Sequence, residues 1–199
     1  MKRLICLILI SCLLTLGLTS CINSANYLGA TEREDGTVAV WQDETMYLSR
    51  VTIPSRIDGK PVAAIASGAF FMNDNLRTIK IMAGPTSIGK SAFYFCTNLE
   101  KVTLPNTINE IGPSAFECCY SLKEIKIPKR VTHIQSNTFC RCSSLEVVEI
   151  PAGVTQIAKD AFAQCTSLKT IRFGGNEEEW KVLCASSPEL ANVSVVYGK

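Results

Sequence analysis

One phenylalanine recurs every 23 residues through the second half of the chain, and no step deviates. The positions are Phe70, Phe93, Phe116, Phe139 and Phe162. Two further columns keep the same step, namely Ile65, Ile88, Ile111, Ile134 and Ile157, and Leu76, Leu99, Leu122, Leu145 and Leu168. Because three side-chain types share one period, a whole structural unit is repeated. A period of this length predicts a solenoid whose coils stack on one another.

Each repeat begins with a segment that alternates between apolar and variable positions. It reads Leu-x-x-Ile-x-Ile-Pro, and this alternation is typical of a strand with one buried face. Stacked coils would pair these strands in a parallel sheet. The second half of the repeat contains Val-x-x-Ile, a short extended piece, and Ala-Phe-x-x-Cys, a turn of helix. The predicted fold class is a mainly β repeat solenoid with a parallel sheet on one face and short strands or helical turns on the other.

The repeats extend over residues 48–173, and the strand motif first occurs at Leu48. An insertion of five residues, within 55–60 and containing Asp58-Gly59, makes the first step 28 residues long. Four prolines end strands where a backbone donor is not needed. They are Pro54, Pro105, Pro128 and Pro151. We expect 37–47 to cap the first coil, and 174–199, with its acidic helix start before Trp180, to close the last coil.

The first 21 residues have the features of a bacterial lipoprotein signal. Lys2 and Arg3 precede an apolar stretch at 4–18, and Leu18-Thr19-Ser20-Cys21 has the pattern of a lipobox, which makes Cys21 the expected lipidation site. The alternatives are an ordinary signal cleaved near Ser20 and an uncleaved anchor. Residues 22–36 are polar and are predicted to form a flexible tether.

Removal of the signal leaves the chain formally neutral. The full sequence has 20 basic and 18 acidic residues, and the signal contains Lys2 and Arg3, so 18 of each sign remain. Binding to nucleic acid by counterion release needs a basic stripe, which this sequence does not contain. No nucleic-acid partner is predicted.

Seven of the ten cysteines follow the signal and Cys21. Four occupy one repeat column, three positions after a phenylalanine: Cys96, Cys119, Cys142 and Cys165. The others are Cys118, Cys140 and Cys184. Buried packing is the favoured role for the column. Neighbouring coils would lie about 5 Å apart, which also allows disulfides, so the oxidation state of all seven stays open. A zinc site is disfavoured because stacked inward thiols do not converge on a tetrahedron.

Two matches to functional motifs are explained by the repeat. Residues 84–91 fit the nucleotide-binding pattern G-x-x-x-x-G-K-[ST], but they occupy the same columns as 107–114 and lack the strand and long helix of a working P-loop. His133 is the only histidine, and it occupies a tolerant outward column. A catalytic triad cannot be assembled around it. We therefore predict no nucleotide binding, cofactor, metal site or enzyme activity.

Outward columns suggest two kinds of surface. One column alternates in charge at every step: Arg77, Glu100, Lys123, Glu146 and Lys169. Opposite charges on adjacent strands are stabilising, so this ladder is interpreted as fixing the register, with an electrostatic docking face as the alternative. Aromatic residues and a methionine break other columns near the first repeats: Phe71, Met72, Tyr94, Phe95 and Tyr120. If exposed, they would form a protein-contact patch; alternatively, the N-terminal segment covers them.

The order Ile-Pro, Val-x-x-Ile, Ala-Phe-x-x-Cys and Ser/Asn-Leu, repeated over 48–173, resembles the BspA-like or Treponema-type leucine-rich repeat. The Glu-Glu-Trp segment is similar to the end of that family's domains. The resemblance implies a right-handed leucine-rich-repeat solenoid in a bacterial surface or periplasmic protein, and some members are adhesins for host matrix proteins or other bacteria. It transfers no catalytic or binding residues to particular positions of this chain.

Two functional hypotheses follow. The first is a lipid-anchored, adhesin-like interaction module that binds a host matrix or envelope protein through its solenoid. The second is a periplasmic structural or assembly scaffold that self-associates as a homo-oligomer. Ile22, which follows Cys21, favours the outer membrane or cell surface as the location of the chain.

Overall fold

The computed structural model describes residues 28–42 and 48–198, and these form a solenoid of stacked coils spaced by about 23 residues. The predicted fold class is confirmed. The lipoprotein signal, Cys21 and residues 22–27 and 43–47 lie outside the described residues. None of the helices in the described ranges is long and apolar enough to cross a membrane.

The chain begins with an antiparallel hairpin of β1 (Leu28–Glu32) and β2 (Val38–Gln42). Residues 28–36, assigned to the tether from the sequence, therefore form a strand and a turn. The polar composition of these residues did not indicate a strand, because β1 buries little of its own surface and is held by backbone pairing with β2. Strand β2 in turn pairs in parallel with β5 (Lys60–Ile65) and buries Val38 and Val40 against the first coil.

The five-residue insertion forms a second, smaller hairpin. Strand β4 (Arg56–Ile57) pairs antiparallel with β5, and Asp58 and Gly59 between them both have positive φ, 49° and 78°. Two successive residues of positive φ are typical of the tight turn that Asp-Gly favours. The insertion is thus accommodated at the edge without changing the stacking of later coils.

The long strands of successive coils form parallel sheets along one face. The first sheet contains β3 (Arg50–Ile53), β6 (Thr78–Ile81) and β8 (Lys101–Thr103). The second contains β10 (Glu124–Lys126), β12 (Val147–Ile150), β14 (Thr170–Phe173) and β15 (Ser194–Tyr197). Two-residue strands on another face form two parallel pairs, of which the first continues the sheet of β2 and β5 and the second stands separately. They are β7 (Ser87–Ile88), β9 (Glu110–Ile111), β11 (His133–Ile134) and β13 (Gln156–Ile157).

The Ala-Phe-x-x-Cys segments form consecutive tight turns in place of the predicted turn of helix. In the second segment, Phe95 has a φ of 59°, and Ser91, which directly precedes the segment, has a φ of 53°. These left-handed residues rotate peptide groups so that N–H groups point along the solenoid axis: Phe93 donates to the carbonyl of Ala115 at 2.8 Å, and Phe95 to that of Glu117 at 2.9 Å. The phenylalanine segments are therefore linked from coil to coil by backbone hydrogen bonds, as the strands are.

The phenylalanine column is the centre of the core. All five rings are buried, and successive rings stack with centroids 5.1 to 5.6 Å apart and interplanar angles of 3° to 12°. The isoleucine column and the first four leucines of the leucine column are buried around them. Every coil therefore contributes the same side chains to one continuous core.

The last coil is covered by a short helix and a strand. Helix α1 (Glu177–Leu183) begins at a capping box between Asn176 and Glu179. Its Trp180 is buried, with its ring 5.3 Å from that of Phe173. A capping box satisfies backbone donors that a first helical turn leaves free. It therefore fixes the start of α1 at a position from which Trp180 reaches the end of the core.

Glu189 is a partly buried carboxylate in this segment. Burial raises its pKa, hydrogen bonds from the backbone amides of Glu189 and Phe162 partly offset the rise, and the charge of Asp160 adds to it. Its Oε1 atom is buried without a hydrogen-bond partner in the described part of the chain. The folded protein therefore favours the protonated form. The stability that the protonated carboxyl adds to the folded protein is fully present below the pKa of the unfolded chain, and it is lost as the pH rises through the higher pKa of the folded protein.

We expect Glu189→Gln to raise the melting temperature at about pH 7, where the wild-type carboxylate is charged, and to raise it less at about pH 4. The gain should stay below about 1 kcal/mol, because solvent screens a partly exposed charge. Thermal unfolding at both pH values checks this, with Glu34→Gln, at an exposed position in the turn between β1 and β2, as the control. An equal gain at both pH values would show that the carboxylate charge is not the cause.

Candidate protein-contact site

The aromatic residues that break their columns lie together on one outer turn of the solenoid. Met72 and Phe95 occupy the second left-handed position of their turns, with φ of 58° and 59°. The left-handed backbone directs this position and the one before it away from the core. The phenylalanine one residue further back points into the core. Phe71 and Met72 are accordingly 50% and 56% exposed, while Tyr94, Phe95 and Tyr120 are partly buried.

The four aromatic rings of this group form an unbroken row, which we call the aromatic strip: Phe71, Tyr94, Phe95 and Tyr120. Phe71 and Tyr94 stack at 5.1 Å, Tyr94 and Phe95 lie 6.0 Å apart, and Tyr120 meets Phe95 edge-on at 5.8 Å. Such aromatic pairs stabilise one another by about 0.5–1.5 kcal/mol beyond their area. The strip is thus a preformed apolar surface that spans three successive coils.

Trp41 was not recognised from the sequence as part of this surface. Its indole is 38% exposed and lines one shallow groove together with Phe71 and Ser67. The hairpin is tied to this region through Gln42, whose backbone N–H donates to the Ala69 carbonyl at 2.9 Å and whose side-chain oxygen accepts from Asn73 at 2.6 Å. The described part of the N-terminal segment borders the strip and leaves Phe71 and Met72 exposed.

The strip ends where polar residues replace its aromatic columns. In the next coils the corresponding outward positions are Arg141 and Gln164, whose side chains are hydrogen-bonded at 3.1 Å. A hydrogen bond with the Cys118 side chain raises the pKa of Tyr120, the last ring of the strip. The apolar surface is therefore confined to the first half of the solenoid.

Four of the five alternating charges form ion pairs between neighbouring coils. Arg77 pairs with Glu100 at 2.7 Å, and Glu146 with Lys169 at 3.2 Å. A second ladder, which sequence analysis did not single out, joins Glu149 to Lys126 at 2.7 Å and to Arg172 at 3.2 Å. The hydrogen bond from Lys126 is the largest cause that lowers the pKa of Glu149. Because these charges neutralise one another along the sheet, the structural interpretation of the ladder is the better one.

The four column cysteines form a spine inside the core. Their thiols donate to the carbonyl of the phenylalanine in the preceding coil at 3.1 to 3.3 Å. Burial raises the pKa of Cys96 and of Cys165 to about 12, and it also raises the pKa values of Cys119 and Cys142 well above the usual range of a thiol. Thiols in this state are unreactive at neutral pH. The predicted packing role is confirmed.

The residues of the P-loop pattern have structural roles of their own. Ser87 and Ile88 form a two-residue strand, and Lys90 precedes a series of turns with no helix. A Cβ at Gly89 would lie 2.5 Å from the backbone nitrogen of Ser67, so glycine is required there by the close approach of two coils. His133 is exposed, and its Nδ1 lies 2.8 Å from the Thr132 hydroxyl. Residues 28–42 and 48–198 contain no cluster of acidic, histidine or cysteine side chains that could hold a metal ion.

Comparison with known proteins places these features in context. Residues 63–184 match the model of the BspA type leucine rich repeat region, in six copies. A search of curated proteins found no match. Among solved structures, the chain is similar to the leucine rich repeat protein of T. pallidum, with 31% identity and a TM-score of 0.70 over 74% of this chain and 69% of that one.

Two further structures are similar over comparable lengths of this chain. A leucine rich cell surface protein of Faecalibacterium prausnitzii is 30% identical, with a TM-score of 0.69 over 78% of this chain and 40% of its own. A leucine-rich repeat protein of Bacteroides ovatus shares the fold at 23% identity, with a TM-score of 0.57 over 76% of this chain and 42% of its own. The chain thus spans less than half the length of these two relatives.

Proposed function

The chain belongs to the BspA type leucine-rich repeat family, and we propose that it is a lipid-anchored, adhesin-like module of the bacterial cell envelope that binds a protein partner through the aromatic strip. Bacterial proteins of this family are typically found at the cell surface, and leucine-rich repeats generally mediate protein–protein interaction. The lipid anchor on Cys21, the outer-membrane or cell-surface location and a host matrix or envelope partner are parts of the proposal.

The observation that carries this proposal is the exposure of large apolar side chains beside rings that are already ordered. Phe71 and Met72 expose half or more of their surface, although burial of such side chains from water is favourable by about 1.5–3 kcal/mol each. Phe71 is held in place by stacking on Tyr94. A partner that covers this surface therefore gains apolar burial and loses little side-chain entropy.

The geometry of the strip favours a protein over a sugar. Phe71 and Tyr94 stack nearly parallel, with an interplanar angle of 10°. One face of each ring is therefore closed to a ligand by the other ring. Sugar rings bind to free aromatic faces, whereas ring edges and the flexible Met72 side chain suit aliphatic and aromatic protein side chains.

We assign no catalytic chemistry to the chain. Leucine-rich repeat proteins are typically interaction modules, and the side chains that carry chemistry are distributed as the repeat dictates. Four of the seven described cysteines are fixed in the core spine, and the carboxylates with lowered pKa values lie in surface hydrogen bonds or ion pairs.

Binding of the full chain to purified extracellular-matrix proteins and to purified envelope proteins tests the proposal. We expect one of these proteins to bind, and Phe71→Ser with Phe95→Ser to weaken that binding at least about tenfold, which is about 1.4 kcal/mol. The matched control is Val182→Ser with Val196→Ser, which removes exposed apolar groups (80% and 54% exposed) away from the strip. Equal loss in both variants, or no loss in the strip variant, contradicts the role of the strip.

Two further measurements address location and the scaffold alternative. Protease added to intact cells should degrade the chain if it lies at the cell surface, and protection would exclude an adhesin. Sedimentation of the purified chain tests self-association: a dimer that dissociates in the strip variant but not in the control variant would support a self-associating envelope scaffold in place of an adhesin.

A further inference from the structure

Cys118 and Cys140 are the two cysteines of the repeats that do not belong to the core spine. Each is the only cysteine in its column: Cys118 follows Met72 and Phe95, and Cys140 follows Phe71 and Tyr94. Neither thiol is among those that donate to phenylalanine carbonyls. Cys184, the remaining described cysteine, lies at the end of α1, where its thiol is 3.8 Å from the Lys181 carbonyl.

The structure brings these two exceptions side by side. The backbone N–H of Cys118 donates to the carbonyl of Cys140 at 2.9 Å, so they are hydrogen-bonded neighbours in adjacent coils. Hydrogen-bonded backbone segments lie about 4.8 Å apart. Cys118 and Cys140 are offset by one residue from the 23-residue register, and this small offset leaves their Cα atoms within the roughly 4.4–6.8 Å that disulfides span. Cys118 has a φ of 61° and is 1% exposed, and Cys140 is 8% exposed, so a donor disulfide reaches either thiol only when the turn opens locally.

The electrostatic surroundings show that the two thiols influence each other. Burial raises the pKa of the Cys140 thiol, the charge of Glu117 adds to the rise, and a charge on Cys118 adds further, while Arg141 opposes it. The thiolate is the reactive form in disulfide exchange. Exchange at this pair should therefore accelerate as the pH is raised, while the spine thiols, whose pKa values burial raises strongly, stay protonated and hydrogen-bonded.

We propose that Cys118 and Cys140 are a redox-active pair that closes to a disulfide between adjacent coils by exchange with a small-molecule or protein disulfide. One of the two thiolates attacks a sulfur of the donor disulfide, forming a mixed disulfide and releasing one donor thiol. The second thiolate then attacks the mixed disulfide at the protein sulfur, forming the Cys118–Cys140 bond and releasing the other donor thiol. The protein loses two protons and two electrons, and the donor disulfide gains both.

This bond would lie beside the last ring of the aromatic strip. The Cys118 side chain raises the pKa of Tyr120, and the Tyr120 ring packs edge-on against that of Phe95 at 5.8 Å. Closing the pair would hold the two coils together at the point where the strip ends, and would restrict the unfolded chain by closing a loop. The oxidised protein should therefore melt at a higher temperature than the reduced protein.

The bond can be tested on the full chain with glutathione disulfide as the donor, independently of any partner or cellular location. After oxidation on the alkaline side of neutrality and acid quenching, the protein is alkylated in denaturant and digested with trypsin. Cleavage after Lys101, Lys123, Arg130, Arg141 and Lys159 separates the relevant cysteines into peptides 102–123, 131–141 and 142–159. Cys140 is thereby separated from Cys142.

We expect mass spectrometry to detect 102–123 linked to 131–141, to lose this species in Cys118→Ser and to retain it in Cys119→Ser. The spine alternative, Cys119 to Cys142, would instead link 102–123 to 142–159. Any one of three results would overturn the proposal: a link between 102–123 and 142–159, alkylated Cys140 in the oxidised wild-type protein, or loss of the expected link in Cys119→Ser but not in Cys118→Ser. None of these outcomes bears on partner binding, so the proposed function stands or fails separately.

Discussion

Replacing Phe116 by alanine is expected to lower the free energy of unfolding by about 3–5 kcal/mol, the largest effect we predict for a single substitution in this chain. Phe116 is buried, and its ring lies 5.1 Å from that of Phe93 and 5.6 Å from that of Phe139. Removing the ring therefore creates a cavity in the middle of the stack and takes a stacking partner from two neighbours.

Urea denaturation followed by circular dichroism measures this effect as a shift of the midpoint. The matched control is Phe71→Ala, which removes the same side chain from the aromatic strip, where half of the ring is already exposed. We expect the control to cost about 1 kcal/mol or less, mainly from its stacking on Tyr94. Equal losses in the two variants would contradict the assignment of core and surface phenylalanines.

The second large effect is expected at Gly89, where alanine should destabilise the protein by about 1–3 kcal/mol. A Cβ at this position would lie 2.5 Å from the backbone nitrogen of Ser67 and 2.8 Å from the Ala66 carbonyl carbon. Both are backbone atoms of the preceding coil, so neither can move aside as a flexible side chain would. The coils must separate locally, which weakens the hydrogen bond from the Gly89 N–H to the Ile65 carbonyl, now 2.9 Å long.

Gly153→Ala is the matched control for this substitution. Its Cβ would come no closer than 3.4 Å, to the carbonyl oxygen of Lys129, and we expect a change within about 0.5 kcal/mol. Thermal unfolding of the two variants side by side checks the difference. A Gly89→Ala variant as stable as the wild type would show that the coils at this edge are not held in close contact.

The repeat columns predicted the core of this protein almost completely. The phenylalanine and isoleucine columns are buried throughout, and the leucine column is buried except at Leu168, in the last coil, which is partly exposed. This success has a physical reason: in a stack of equivalent coils, every column meets the same surroundings, so its chemistry reports its position. Where surroundings are not repeated, as in the β1–β2 hairpin, the sequence carried much less information.

The local backbone of the turns was not predictable in the same way. Ala-Phe-x-x-Cys has the composition of a helical turn, and residues such as Phe95 and Ser114 seldom adopt positive φ. Their left-handed conformations, at 59° and 56°, are compensated by hydrogen bonds to the next coil. That compensation exists only once the coils are stacked, so single-repeat propensities cannot show it.

The candidate site was predicted as a set of residue types and not as a surface. Columns identified Phe71, Tyr94 and Phe95 as exceptions, but contacts that run diagonally between columns are invisible to such an analysis. The path of the turns brings Trp41 close to Phe71. It also brings Cys118 beside Cys140, although these residues differ by 22 positions and the repeat step is 23.

The charge ladders also restrict how the copy number of the repeat can change. Deleting the single coil that carries Lys123 would place Glu100 beside Glu146, and deleting the one that carries Glu149 would place Lys126 beside Arg172. Each deletion turns attractive neighbours into repulsive ones on an open sheet. Deleting or duplicating two adjacent coils restores alternation. Because of these ion pairs, this solenoid can lengthen or shorten by two coils at a lower electrostatic cost than by one coil.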